Sequence, residues 1–380
     1  MKMRKQLYSL LFLSVLQIFR LSAQDPIFYN PDGERLSFGK EKAKTSSIDF
    51  GDLDGDGDND VVVANGRHWP DQNEIFLNNG DGNFTVSYPL GKYKSTTYSA
   101  ALGDLDGDGD LDIAEGNDEA PNRLYFNDGK GNFIEKGSFG LPNAPSRNLI
   151  LADLDGDEDL DILITNRGER NEICINDGKG NFTQQIFFGS SNDATIDVHI
   201  EDINKDGQKD LILANREKQQ NLIYLNKNMK FDEAVPFGSG QDETRALAVA
   251  DFNKDYYPDI LLGNIGESNQ ICFGNAKVDY SDCIKIDTIE DLTFSVDVSD
   301  FDRDGDMDIV VGNVDEPNAV YQNYGDGKRY NKIMLSEKNF NTYKIKFADL
   351  NGDSYPEILE SNSDELNVFY LNLIPYLKKD

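Results

Sequence analysis

The chain has 380 residues, with 37 Lys and Arg against 69 Asp and Glu, giving a formal net charge of −32 and a pI near 4.3. So acidic a protein excludes nucleic acid as a partner, because a phosphate backbone is held by clustered positive charge. Its 38% hydrophobic and 11% aromatic residues supply a sizeable core and exclude a disordered acidic tail.

Residues 1–23 differ from everything after them. Lys2, Arg4 and Lys5 precede an apolar run from Leu7 to Phe19, and Ser22 and Ala23 close it with small side chains. That run is shorter than the ~20 residues a membrane-spanning helix needs. The segment reads as a secretory signal cleaved after Ala23, with a retained membrane anchor as the alternative. The expected location is secreted, periplasmic or cell-surface, with no membrane span in the mature chain.

From residue 24 onward one pattern recurs seven times. Nine-residue acidic loops begin at Asp52, Asp104, Asp153, Asp202, Asp251, Asp300 and Asp349, spaced 52 residues once and 49 thereafter. Thirteen residues after each first Asp stands an Asn (Asn65, Asn117, Asn166, Asn215, Asn264, Asn313, Asn362), and a second follows after a short loop (Asn73, Asn122, Asn171, Asn221, Asn269, Asn318, Asn367). Upstream lies an apolar residue followed by Gly, as in Phe38-Gly39, Leu90-Gly91, Phe139-Gly140, Phe188-Gly189 and Phe237-Gly238. A fixed period of this length is the mark of a repeat architecture.

Each repeat holds four short apolar runs bounded by Asp, Asn and Gly, for example NLILAD, DILITN, NEICIND and NFTQQIFF in the third. These read as strands. Their connections are too short for crossover helices, so each repeat is an antiparallel meander. One such sheet cannot bury both faces, whereas seven packed around an axis can. The predicted fold is an all-β, seven-bladed propeller of four-stranded antiparallel blades filling residues 24–380 as a single domain. The seventh repeat lacks a fourth strand, and PDGERLSFG at 31–39 resembles that missing piece. This N-terminal segment is expected to become the outer strand of the last blade and to close the ring.

The loops between the first and second strands place acids at positions 1, 3, 5 and 9. Oxygen ligands on alternate residues converge when a tight turn wraps a hard cation, and Ca²⁺ takes six to eight of them. Without an ion the carboxylates would repel one another. The side-chain ligands expected are Asp52, Asp54, Asp56 and Asp60; Asp104, Asp106, Asp108 and Asp112; Asp153, Asp155, Asp157 and Asp161; Asp202, Asn204, Asp206 and Asp210; Asp251, Asn253, Asp255 and Asp259; Asp300, Asp302, Asp304 and Asp308; and Asp349, Asn351, Asp353 and Glu357. Loops 1, 2 and 6 keep every acid and a Gly at position 6 (Gly57, Gly109, Gly305), where the backbone needs positive φ. Loops 5 and 7 rank weakest, with Tyr256 and Ser354 at that position and Pro258 and Pro356 at position 8. About five to seven Ca²⁺ per chain are expected. An EF-hand is excluded because its Glu at position 12 is replaced by Val63, Ile164, Leu213, Leu262 and Val311, leaving only Glu115 and Glu360 in place.

These DxDxDGxxD loops, with Phe-Gly upstream and Asn-Asp-Gly-Lys-Gly-Asn-Phe downstream, resemble the FG-GAP and VCBS repeats of the integrin α-subunit propeller across essentially the whole mature chain. The resemblance implies a further Ca²⁺ ligand, the backbone carbonyl at position 7: Asp58, Asp110, Asp159, Gln208, Tyr257, Asp306 and Tyr355. It also implies that the metal loops occupy one face and ligand recognition the opposite one. Members serve in adhesion, as lectin-like proteins and as appendages of enzymes, so the family alone fixes no function.

On the face away from the metal loops, one lengthened connection, GRHWPDQ at 66–72, carries Arg67, His68 and the sole tryptophan, Trp69. Six residues before each first Asp, a ring at the channel mouth reads Ser46, Tyr98, Arg147, Ile196, Arg245, Phe294 and Tyr343. Its arginines and aromatics suit an anionic or planar ligand. The paired asparagines read as turn-capping structure. His68 and His199 are the only histidines, and no nucleophile elbow or phosphate-cradling loop occurs. Among three cysteines, the register copied from other repeats sets Cys272 against Ser281 and leaves Cys283 diagonal, so a Cys272–Cys283 bond calls for a slip or bulge. Asn83 and Asn181 head glycosylation sequons. The expected function is a secreted, monomeric, non-catalytic module binding a protein or carbohydrate. The alternative is a Ca²⁺-dependent polysaccharide lyase with its site at the channel mouth.

Overall fold

Burial explains why these short segments become strands of one kind of blade. In the third blade the strands are Ser146–Ala152, Asp161–Asn166, Asn171–Ile175 and Gln184–Phe188. The second strand is buried at every residue, as are its counterparts Asp60–Asn65, Asp112–Asn117, Asp210–Asn215, Asp259–Asn264 and Glu357–Asn362. A strand covered on both faces reads as a continuous apolar run rather than an alternation. The outermost strand is largely exposed until its terminal Phe188.

A computed structural model describes residues 27–30, 36–40 and 42–377 of the chain. The expected secretory segment, residues 1–23, lies outside the described residues. Seven antiparallel meanders follow one another, and their strands pair in sequence order within each blade apart from one link between the sixth and seventh and the N-terminal pieces that join the last blade. Seven hydrophobic clusters fill the seven interfaces between blades. One of them joins Leu124, Phe126 and Phe139 of blade 2 to Leu149, Ile162 and Cys174 of blade 3. The core therefore lies between blades, and at about 1.5–3 kcal/mol per buried Leu, Ile or Phe it makes each blade depend on both neighbours.

Ring closure follows the sequence expectation, with a refinement. The last blade's third strand, Asn367–Asn372, pairs with two N-terminal pieces instead of one: Ser37–Phe38 against Asn367–Val368, and Phe28–Tyr29 against Leu371–Asn372. Phe28 is buried with its ring 5.1 Å from that of Phe301, and Phe38 lies between Phe76 and Phe84. Residues 31–35 of the expected closing strand lie outside the described residues.

The asparagine pairs form a repeated belt at one end of the blades. Asn73 accepts the backbone N–H of Asn65 at 2.7 Å and donates to Thr97 of the next blade at 2.8 Å. The Thr97 hydroxyl in turn donates to Asn117 at 2.9 Å. The same Asn-to-Thr link recurs from Asn171, Asn221, Asn269 and Asn318. Where blade 3 carries Ser146 in place of Thr, the Asn122 amide is left without a partner.

The cysteine register expected from sequence is corrected. Cys272 stands directly opposite Cys283, not Ser281, and the two form a disulfide with no slip or bulge. The spacing is the ordinary one, since Cys174 pairs with Gln185 across an equal separation in blade 3. Cys174 is buried and free.

Candidate functional site

All seven acidic loops wrap with the same handedness. Position 6 has positive φ whether it is Gly57 (95°) or Glu158 (75°), Tyr256 (72°) and Ser354 (67°), and position 4 behaves likewise from Gly55 to Lys205, Lys254 and Arg303. Holding non-glycine residues there costs on the order of 1 kcal/mol each, so the turn is imposed by what surrounds it. In loop 1, Asp52 accepts the N–H groups of Gly55 and Gly57 at 2.7 and 3.0 Å, and Asp56 accepts that of Asp58 at 3.0 Å.

The ninth residue fastens the loop to the blade. Buried Asp60 accepts Leu53 N–H at 2.9 Å and Asn78 N–H at 2.8 Å, an arrangement repeated by Asp112, Asp161, Asp210 and Asp259. Burial pushes these carboxyls up, to about 6 for Asp60, Asp112, Asp161 and Asp210, about 7 for Asp259 and Glu357, and about 8 for Asp308. Burial together with neighbouring carboxylates also raises Asp54, Asp106 and Asp155.

Four loops bring three carboxylates within 4.8 Å of one another: Asp52, Asp54 and Asp60; Asp104, Asp106 and Asp108; Asp153, Asp155 and Asp161; and Asp300, Asp302 and Asp304. One oxygen of Asp106 and one of Asp308 are buried with no hydrogen-bond partner. An all-oxygen set with orphaned acceptors fits a hard divalent cation such as Ca²⁺. In loops 4 and 5 the amides of Asn204 and Asn253 instead donate to Asp206 and Asp255, each at 3.1 Å.

Contacts between successive loops were not evident from sequence. Lys205 at position 4 of loop 4 donates to the Tyr256 carbonyl and lies 4.5 Å from the Tyr257 ring. Lys254, one blade on, pairs with Asp306, and Arg303 lies 5.4 Å from the Tyr355 ring. The signal was present as the replacement of Gly by Lys, Lys and Arg at position 4, but its meaning needs inter-blade distances.

At the opposite end, every innermost strand carries a bulge that shifts its register by one residue, as between Thr45 and Ser47 or Thr97 and Ser99. The extra residue is the one singled out as the ring: Ser46, Tyr98, Arg147, Ile196, Arg245, Phe294 and Tyr343 all line one cavity at the axis. Bulges re-aim side chains in this way. The lengthened loop reaches the same place. Arg67 stacks on Tyr343 at 3.7 Å and lies 3.2 Å from His68 Nε2, while His68 Nδ1 lies 3.1 Å from the Tyr98 hydroxyl. Arginine only donates, so the network assigns the proton to Nδ1 and leaves neither ring nitrogen free to take a proton from a ligand. Burial and Arg67 lower the His68 pKa, in keeping with a neutral ring. Arg147 stacks on Tyr98 at 4.3 Å and pairs with Asp118 at 2.6 Å, and Phe294 meets Tyr343 edge-on at 4.9 Å. Trp69, by contrast, is 72% exposed.

Seven meanders, acidic loops at one end and an axial ring of side chains at the other define a β-propeller built from acidic-loop repeats. The family model for the FG-GAP-like repeat matches residues 52–115, 104–164, 153–213, 202–262 and 300–360, and the chain belongs to that family. No curated protein matches the chain. Among solved structures it is similar to BBS1N in complex with ARL6DN soaked with lead, at a TM-score of 0.61 and 11% identity, covering 91% of this chain and 97% of that one. The same complex soaked with mercury matches at a TM-score of 0.60 and 12% identity, with equal coverage. At such identities the likeness is one of fold.

Proposed function

We propose that the protein is an exported, Ca²⁺-loaded, non-catalytic recognition module that docks a protein ligand on its channel-mouth face. The observation that carries the metal part is the convergence of three carboxylates in each of loops 1, 2, 3 and 6. Loops 4, 5 and 7 offer three acids and an Asn in the same wrap. The Cys272–Cys283 disulfide supports an oxidising compartment. Exposed Trp69, beside Arg67 and His68, supplies the kind of aromatic anchor that dominates recognition surfaces. BBS1N, of similar fold, was crystallised in complex with ARL6DN, which supports a protein over a carbohydrate ligand.

Two measurements test this reading. Thermal unfolding in excess Ca²⁺ and in EDTA, with bound metal counted by elemental analysis, is expected to show about five to seven ions and a melting temperature lower by many degrees on chelation. No bound metal and no shift would end the calcium reading. A photo-crosslinking residue placed at Trp69, compared with one at Lys130 on the metal-loop face, is expected to yield protein adducts at the cell surface only from the former. Adducts from Lys130 alone would reverse the face, and glycan adducts would make the ligand a carbohydrate.

A further inference from the structure

The mouth face is divided electrostatically, and Trp69 stands where it departs from the acidic character of the chain. Around blades 5 and 6 the connections at 238–243, 265–268, 286–292 and 314–317 hold eight acids and no Lys or Arg. Arg216 and Lys332 reach three of them, Glu243, Asp287 and Asp291, so this sector stays strongly negative. Around blade 1 the connections at 39–44, 66–72 and 91–96 hold Lys40, Lys42, Lys44, Arg67, Lys92 and Lys94 against Glu41 and Asp71. Lys40 pairs with Glu74 and Lys44 with Asp364, each at 2.6 Å. With those partners counted, cations outnumber acids six to four, and even with Glu119 and Glu365 at the flanks the sector is balanced. Lys42 and Lys92 are exposed and, among the described residues, make no hydrogen bond or ion pair.

The same sector presents two aromatic side chains on one hydrogen-bonded frame. Gly66 and Arg67 donate their N–H groups to the Lys44 carbonyl at 3.1 and 3.3 Å, and Trp69 N–H donates to the Gly66 carbonyl at 3.1 Å. Asp71 and Ser95 exchange backbone bonds at 3.0 and 2.9 Å, which ties this loop to the connection carrying Tyr93. Tyr93 is 57% exposed. Aromatic groups held in place before contact lose little freedom on docking.

We propose that the protein docked on Trp69 presents an acidic segment with an apolar or aromatic side chain within it. That side chain packs against Trp69 and Tyr93, and the carboxylates beside it meet Lys42 and Lys92. A basic segment would be drawn to blades 5 and 6 and to the acidic loops of the opposite face, away from Trp69. An acidic segment is repelled from both and meets no net repulsion around blade 1, so specificity arises from the acids elsewhere as much as from the lysines here. This inference rests on the docking-face reading above and adds the chemistry of the partner.

The test uses a phage library of random dodecapeptides, depleted on the Trp69→Ala variant and then panned on the unaltered protein in Ca²⁺ buffer. The retained peptides are expected to carry more Asp and Glu than Lys and Arg, together with an aromatic or aliphatic residue. The affinity of a synthetic copy should fall roughly tenfold in the Lys42→Glu/Lys92→Glu double variant and stay unchanged in Glu290→Gln, whose side chain belongs to the acidic sector. Retained peptides rich in Lys and Arg, or an affinity undiminished in the double variant, overturn this inference and leave the docking face standing. No Trp69-dependent peptide overturns both. If polygalacturonate instead binds saturably and loses that binding in the double variant, the ligand is an anionic glycan and the acidic segment is refuted.

Discussion

Replacing Glu360 by Gln isolates one buried ionisation in blade 7. Glu360 is fully buried, and neither carboxylate oxygen has a hydrogen-bond partner. Its counterpart in blade 2, Glu115, accepts the Asn117 amide at 2.8 Å and lies 3.5 Å from Arg123. In blade 7 the position of that arginine is taken by Val368. Burial pushes the Glu360 carboxyl up from 4.5 to about 8, and the nearby amides of Asn318 and Asn362 offset only part of the effect. The folded chain thus keeps a proton that the unfolded chain releases. That contribution to stability is fully present below pH 4.5 and is lost as pH rises through about 8, at about 1.4 kcal/mol per pH unit between. Glu360→Gln cannot titrate, so its stability relative to the parent should rise by ~3 kcal/mol between pH 5 and pH 8. The remaining acids are common to both proteins and cancel. Denaturant unfolding in saturating Ca²⁺ at unit pH steps measures the difference, and any constant offset from burying an amide does not affect its slope. A difference that stays flat across that range would refute the reasoning.

Thr97→Val removes a hydroxyl that both accepts from Asn73 and donates to Asn117 in the belt between blades 1 and 2. Two buried groups lose their partner, so a loss of about 2 kcal/mol is expected by denaturant unfolding, and Thr97→Ser should recover most of it. Phe38→Ala empties the aromatic cluster that holds the closing strand, at a cost of about 3–5 kcal/mol. In that variant, hydrogen exchange should quicken first in Asn367–Asn372. Removing the Cys272–Cys283 bridge by double substitution to Ser releases a closed loop with a sequence separation of 11, for which chain entropy gives about 3 kcal/mol of lost stability. Equal melting temperatures with and without reductant would show that the bond does not form in solution.

The architecture was legible because the 49-residue frame repeats its apolar runs, loops and asparagines in register, and because a strand buried on both faces writes a continuous hydrophobic word such as DILITN. The loops' shared left-handed turns were legible at glycine, and the structure keeps them where Glu158, Tyr256 and Ser354 replace it. Three features were not legible. The bulges leave the apolar pattern intact, since the residues on either side of the extra one are largely small or polar. The reach of Arg67 and His68 into the mouth depends on how a long loop folds back, which no periodicity records. The latches from Lys205, Lys254 and Arg303 depend on distances between repeats that are about 50 residues apart. The cysteine register failed for a simpler reason: a turn length was misjudged by two residues, which moves a pairing diagonal while keeping the strand's facing.

The bulge on each innermost strand separates two tasks that a plain strand would have to share. The residues flanking it keep the ladder and the threonine belt, while the additional residue turns to the axis and reaches across to its neighbours, as Ser46 does to the Thr97 carbonyl and Arg147 to Asp118. Seven equivalent positions therefore read Ser, Tyr, Arg, Ile, Arg, Phe and Tyr on sheets that otherwise repeat. Rotational symmetry in the scaffold thus coexists with asymmetry at its centre, and a combinatorial library restricted to those seven codons would sample new axial chemistries on one unchanged set of strands.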